Sequence, residues 1–223
     1  TLQSRSHNEL VVEKLQYYID YLVQGEYNLI DAYGAVPFEL ELDKKKGQLT
    51  GALISITFVS ESVYELKITF ENSSVPLIHY ADASRSTTNV AVGEFKKRFK
   101  VGQEVVLPFL NWRLNIKDNP GFYKGNEYFV RFNDFDGTVS NYKGIAVRAD
   151  DKGGSVLTLS MQGTNKARLV DYLNATVKML IKRQLDSKNQ FATNTIAFID
   201  STLVSMESQL KETGNELKSF RKD

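Results

Sequence analysis

The hydrophobic positions along this chain change period twice. Val12, Leu15, Ile19 and Leu22 recur at spacings of three and four, widened by Val11 and Tyr18, which predicts an amphipathic first helix. Ser6 stands three residues before Glu9, the pattern of a capping box, and Gly25 offers a stop. From Pro37 to Met161 the period becomes two. Phe38, Leu40 and Leu42 alternate with Glu39, Glu41 and Asp43, and the triplets Ile54, Ile56, Phe58 and Leu66, Ile68, Phe70 alternate in the same way. Further strands are expected over 104–107, 112–116, 127–132, 142–148 and 155–161. Turn signals separate them: Asn119-Pro120-Gly121, Lys124-Gly125-Asn126, Asp136-Gly137 and Lys152-Gly153-Gly154. These elements predict an α+β fold with a twisted, mostly antiparallel sheet, a packed N-terminal helix and a long C-terminal helix.

The last quarter returns to helical spacing. Thr164 is placed to cap a helix over 165–220, a stretch without proline. Val170, Leu173, Val177 and Leu180 form its first apolar seam. Ile196, Ile199, Leu203, Met206, Leu210, Thr213, Leu217 and Phe220 follow at alternating steps of three and four, a heptad seam with one polar position at Thr213. The two seams fall out of phase across 186–195, where a bend or a change of partner is expected. About 55 residues in one helix make a rod of roughly 80 Å. The other ~160 residues have an expected radius of gyration of about 15 Å, hence a body roughly 40 Å across. An unbroken helix is therefore expected to project beyond its domain, and its seam calls for a helical partner.

Composition narrows the function classes. The chain has 223 residues, 42% hydrophobic and 25% charged, which excludes a disordered or collagen-like polymer. With 28 basic and 27 acidic side chains, the net charge of +1 gives no field that would gather nucleic acid or anionic lipid. No run approaches the ~18–20 apolar residues of a bilayer span. The absence of cysteine excludes disulfides, thiolate zinc sites and cysteine nucleophiles.

The candidate chemistry is sparse. His7 and His79 are the only histidines, far apart in sequence, and a satisfied or surface histidine is the default for each. Asn133-Asp134-Phe135-Asp136-Gly137 lacks the alternating oxygen ligands and distant glutamate of a calcium loop, so it reads as a turn. Glu127 with Asp134 or Asp136 forms an acid–base pair only on paper, since nothing fixes their separation. Trp112, Phe109, Phe122 and Tyr123 are aromatic faces for a sugar or, more simply, core residues; Trp112 and Tyr123 are the candidate glycan contacts. Lys96-Lys97-Arg98 and Lys44-Lys45-Lys46 read as solvated turns or edge protection. No catalytic, cofactor-binding or metal-binding residue emerges.

The run Gly154-Ser155-Val156-Leu157-Thr158-Leu159-Ser160, followed by NKARLVDYLN from Asn165 to Asn174, resembles the chain-length determinant domain of the Wzz/Wzc polysaccharide co-polymerases. The step Asp171-Tyr172-Leu173-Asn174 matches that family's helix opening. Lys188-Asn189 with Ala192, Ala197-Phe198-Ile199-Asp200 and the distal Glu216-Leu217-Lys218-Ser219-Phe220-Arg221 are similar to the rest of its helix pattern. Near the start, Asn8-Glu9 and Tyr33 to Leu42 (YGAVPFELEL) resemble the family's first helix and first core strand. The longer middle, about Gly47 to Tyr142, is similar to versions linked to cytoplasmic tyrosine kinases in Bacteroidetes-type exopolysaccharide transporters.

The resemblance implies a base formed by 1–46 with 143–185, a β-rich insertion over 47–142, and a projecting coiled-coil-like arm over 186–223. It further implies a periplasmic domain held between two inner-membrane spans, acting as a homo-oligomeric scaffold with the polymerase or export machinery. Both spans and the descending half of the helical hairpin are absent, so the chain is read as an excised fragment. No Walker-type loop occurs, which places any tyrosine kinase outside it. The expected function is non-catalytic control of the length or export of capsule, exopolysaccharide or O-antigen, with no cofactor. The arm's pairing residues are Ile196, Ile199, Leu203, Met206, Leu210, Leu217 and Phe220. Two other classes remain open: a carbohydrate-binding module using the β-rich middle, and a periplasmic adaptor of an efflux or secretion system.

Overall fold

A computed structural model describes residues 4–220 except 119, 143 and 150–156; the side chains of 149, 216 and 218–220 also lie outside the description. Helix α1 spans Arg5–Leu15 and is followed by strands β1 (Ile19–Gln24), β2 (Leu29–Asp31), β3 (Phe38–Leu42) and β4 (Gln48–Leu49). Next come β5 (Ile54–Ser60), β6 (Val63–Phe70), β7 (Ser74–His79), β8 (Ser84–Asn89), β9 (Gly93–Lys100), β10 (Glu104–Leu107), β11 (Leu110–Ile116) and β12 (Glu127–Phe132). The short helix α2 (Phe135–Asn141), strands β13 (Ala146–Ala149) and β14 (Leu157–Ser160), and helix α3 (Lys166–Phe220) complete the α+β fold.

The first helix ends at Leu15, seven residues before Leu22, the last position of its predicted apolar stripe. Ser4, not Ser6, is the N-cap, and its Oγ accepts from the His7 amide at 3.3 Å. Gln16 adopts the left-handed conformation at φ 51° and closes the helix with bonds to the Glu13 and Val12 carbonyls. Ile19 and Leu22 then belong to β1, because this segment lies between β2 and β12 and hydrogen-bonds to both. A short apolar run satisfies either period, and here the flanking strands decide.

Six strands form one antiparallel sheet in the order β2-β1-β12-β5-β6-β9. The register of β5 on β6 shifts between Phe58 and Ser60, a bulge that turns this pair. A second sheet, β10-β11-β3, presents Phe38, Trp112 and Leu114 toward the first. Phe38 meets Phe58 at 5.7 Å and Trp112 meets Phe132 at 5.8 Å between ring centroids, so the core lies between these sheets. The strand set β4-β7-β8 and the hairpin β13-β14 are separate small sheets. One hydrogen-bonded sheet therefore takes strands from both sides of position 46, β1 and β2 before it and β5, β6, β9 and β12 after it.

Strands β3, β10 and β12 match the predicted bounds, and β5, β6 and β11 are longer. Tyr142 closes α2 rather than opening a strand. Ser155, the Lys152-Gly153-Gly154 turn and Asn119 lie outside the described residues. Helix α3 has no break across 186–195. By internal contacts the chain divides into two compact units, 1–176 and 177–223. Among the described residues no helix is long and apolar enough to cross a membrane.

Candidate functional site

The beginning of α3 is the most elaborately held point of the first unit. Asn165 precedes the helix, and its Oδ1 accepts from the Arg168 amide at 3.1 Å, so Asn165 performs the capping expected of Thr164. The Asn165 Nδ2 donates to the carbonyls of Asp31 (3.1 Å) and Tyr33 (3.3 Å). The cap of one helix thereby joins it to the end of β2.

Arg168 follows one turn into the helix and is buried at 6% exposure. Its guanidinium packs against the rings of both Tyr17 and Tyr33, 4.8 and 4.7 Å from their centroids, and the two rings meet each other edge to face at 5.2 Å. Nε donates to Asp31 Oδ2 at 2.9 Å and Nη2 to Asp31 Oδ1 at 3.4 Å, while Nη2 stands 3.7 Å from Asp20 Oδ1. Burial works against the charge, but Tyr142, Asp31 and Asp20 more than offset it, and the guanidinium pKa is raised. The cation is thus held in place by paired carboxylates and aromatic faces.

Hydroxyls complete the attachment. Tyr17 donates to the Arg168 carbonyl at 2.5 Å and Tyr33 to Asp171 Oδ2 at 2.9 Å. Tyr172 donates to Asn8 Oδ1 at 2.9 Å, and its ring stacks on Tyr142 at 4.8 Å. Gly34, at φ +81°, lets the β2–β3 loop approach the helix; a Cβ there would lie 3.2 Å from that of Ala167. The face that α3 buries here is Arg168, Tyr172, Ala175 and Thr176. The predicted seam of Val170, Leu173, Val177 and Leu180 is rotated from it, and Val170 and Val177 are exposed. Apolar spacing misses this face because a cation and a phenol lead it. Its only local signal is the i, i+4, i+7, i+8 spacing of four side chains of mixed polarity.

In the second unit, the heptad residues Ile196, Ile199, Leu203, Met206, Leu210 and Leu217 are 49–76% exposed. They form a row of large apolar side chains along α3, facing solvent. The Phe220 side chain lies outside the described residues.

The other sequence candidates have structural positions. Trp112 is 1% exposed, with Nε1 donating to Tyr64 at 3.3 Å, and Tyr123 is 8% exposed, with its hydroxyl on the Glu61 carbonyl at 3.0 Å. Both rings pack in the core and present no open face to a glycan. His7 is buried in α1. His79 Nδ1 lies 3.0 Å from the Lys45 carbonyl and therefore carries the proton, leaving Nε2 to accept from Ser86 at 2.9 Å. Glu127, Asp134 and Asp136 have different partners: Ser55, Arg85 and Arg5. Lys96 and Arg98 sit on the edge strand β9 and share Glu65, whose carboxyl they hold below its usual range, while Lys44-Lys45-Lys46 forms a turn. Among the described residues no group of three or more acidic or histidine side chains is arranged to hold a metal.

No family model matches the chain, and no curated protein matches it. Among solved structures it is similar to FlgL of Xanthomonas campestris, at 14% identity and a TM-score of 0.25, over 87% of this chain and 54% of that one. The chain spans about half the length of that protein, and a likeness this slight carries no argument about fold or function.

Proposed function

We propose that this chain is a non-catalytic periplasmic scaffold segment of an inner-membrane polysaccharide co-polymerase. In this reading the first unit is the base, and α3 contributes a pairing helix to an assembly that sets polymer length or supports export. One observation carries the proposal: the six exposed heptad residues from Ile196 to Leu217 lie on a helix whose first turns are pinned by Arg168. An apolar row of this length in water favours helix-on-helix association. The order of the NKARLVDYLN segment and the distal helix pattern supports the family assignment.

The test is made in the parent protein in a polymer-producing cell. Changing Leu203→Asp and Leu210→Asp is expected to alter the length distribution or the surface yield of the polysaccharide. Unaltered length and yield, with the variant present at normal abundance, would overturn the scaffold role of the helix.

A further inference from the structure

Beside the start of α3, within the first unit, lies an open cleft of about 530 Å³, a size ordinary for small-molecule sites. Its wall is a row of alternating charges. Arg131 Nη2 bonds Asp20 Oδ2 at 2.9 Å, Asp20 approaches Arg168 at 3.7 Å, and Arg168 pairs with Asp31 at 2.9 Å. These groups neutralise one another, so the cleft has little attraction for a strongly charged ligand. Being already paired, they are also fixed in direction before any ligand arrives.

Asp134, paired with Arg85, and the apolar Met161 and Leu169 also line the cleft, and amides and hydroxyls complete it. Asn133, Asn141 and Gln162 face the cleft, and their side-chain amides make no hydrogen bond among the described residues. Each amide offers both donors and acceptors. The half-buried ring of Tyr142 stands in the same wall, steadied by Tyr172 and by Tyr17 at 5.0 Å. Free amides, balanced ions and an aromatic ring match a ligand that is neutral, rich in hydroxyls and studded with C–H faces.

We infer that this cleft binds a hexopyranose segment of a neutral glycan, with the Asn133, Asn141 and Gln162 amides bonding its hydroxyls. The inference rests on the co-polymerase reading for the source of that glycan. It also has a structural consequence: Arg168 and Asn165 line the cleft and pin α3, so an occupied cleft touches the residues that anchor the pairing helix.

The 223-residue chain, labelled with nitrogen-15, is titrated with maltohexaose, cellohexaose and an alginate hexasaccharide while the Asn and Gln side-chain amide resonances are followed. A neutral hexasaccharide is expected to shift the Asn133, Asn141 and Gln162 signals. The double change Asn141→Ala and Gln162→Ala should weaken that binding about tenfold, since two amide hydrogen bonds are lost. Both positions are exposed, and unchanged circular dichroism verifies the fold. The inference is overturned if neither neutral sugar at tens of millimolar moves these signals, if only the anionic alginate does, or if the double variant binds as well as wild type. Failure here leaves the scaffold reading to the polymer-length experiment, and unaltered polymer length with intact sugar binding would remove the scaffold role alone.

Discussion

Replacing Arg168 with leucine would strand Asp31 beside an apolar side chain, while Asp20 keeps Arg131, and would remove the guanidinium from the Tyr17 and Tyr33 rings. The expected loss is about 2–3 kcal/mol, below the range for a wholly buried pair because both carboxylates keep some contact with water. Urea unfolding followed by the fluorescence of Trp112, the single tryptophan, measures it. Arg168→Lys should recover only part of the loss, since an ammonium cannot bond Asp31 through two nitrogens or offer a planar face to the two rings. None of this is legible locally. The carboxylates and the Tyr17 and Tyr33 rings that hold Arg168 lie more than 130 residues upstream, and an arginine within an amphipathic stretch reads as solvated. Trp112 is the opposite case, since strand alternation alone suffices to put it in the core.

The tyrosines give a second prediction at this scale. Burial pushes the Tyr64 phenol up to about 12, and burial also raises Tyr17, Tyr18, Tyr80 and Tyr172. In the unfolded chain these phenols release their protons near pH 10, while the folded protein keeps them. The unfolded state then binds fewer protons, so stability falls as pH rises. Urea midpoints should hold steady up to about pH 10 and drop progressively between about 10 and 12. A flat profile through that interval would mean that these phenols are not buried.

Among the elements, α2 shows how a turn signal conceals a helix. Asp134 accepts from the Gly137 amide at 2.9 Å, and α2 follows where Asp136-Gly137 suggests only a reversal. That amide bond, with Arg85, holds the Asp134 carboxyl below its ordinary range. Its contribution is present above about pH 4 and fades as the carboxyl protonates. Asp134→Ala should cost about 1 kcal/mol at neutral pH and less at pH 3, read from urea midpoints. An equal cost at both pH values would contradict the role of the ionised cap.

A strand buried on one face, such as β3, is legible because its apolar and acidic residues alternate strictly. The sequences SRSTTN of β8 and GEFKKRFK of β9 pass unnoticed as strands. Each occupies a sheet edge, where polar and basic side chains protect against further pairing and dilute the apolar signal. The length of α3 is legible, since nothing in 165–220 interrupts a helix. Its buried face in the first unit is not, because the side chains that define it are polar.

For the whole molecule, the division into units 1–176 and 177–223 separates two kinds of stability. The first unit buries its apolar side chains between its own sheets. The second leaves Ile196, Ile199, Leu203, Met206, Leu210 and Leu217 in solvent. The heptad spacing was readable in the sequence, but a seam buried within its own chain reads the same way, and only exposure separates the two cases. Exposed, such a seam marks an interaction surface, and in the proposed function its partner is another helix.

Light scattering of the 223-residue chain across a range of concentrations, with the Leu203→Asp and Leu210→Asp double variant beside it, tests that claim most directly. The wild-type mass is expected to rise from monomer toward dimer or higher with concentration, and the variant to stay monomeric with unchanged helix content. A wild-type chain that remains monomeric at every concentration, or a variant that associates as strongly, would contradict it.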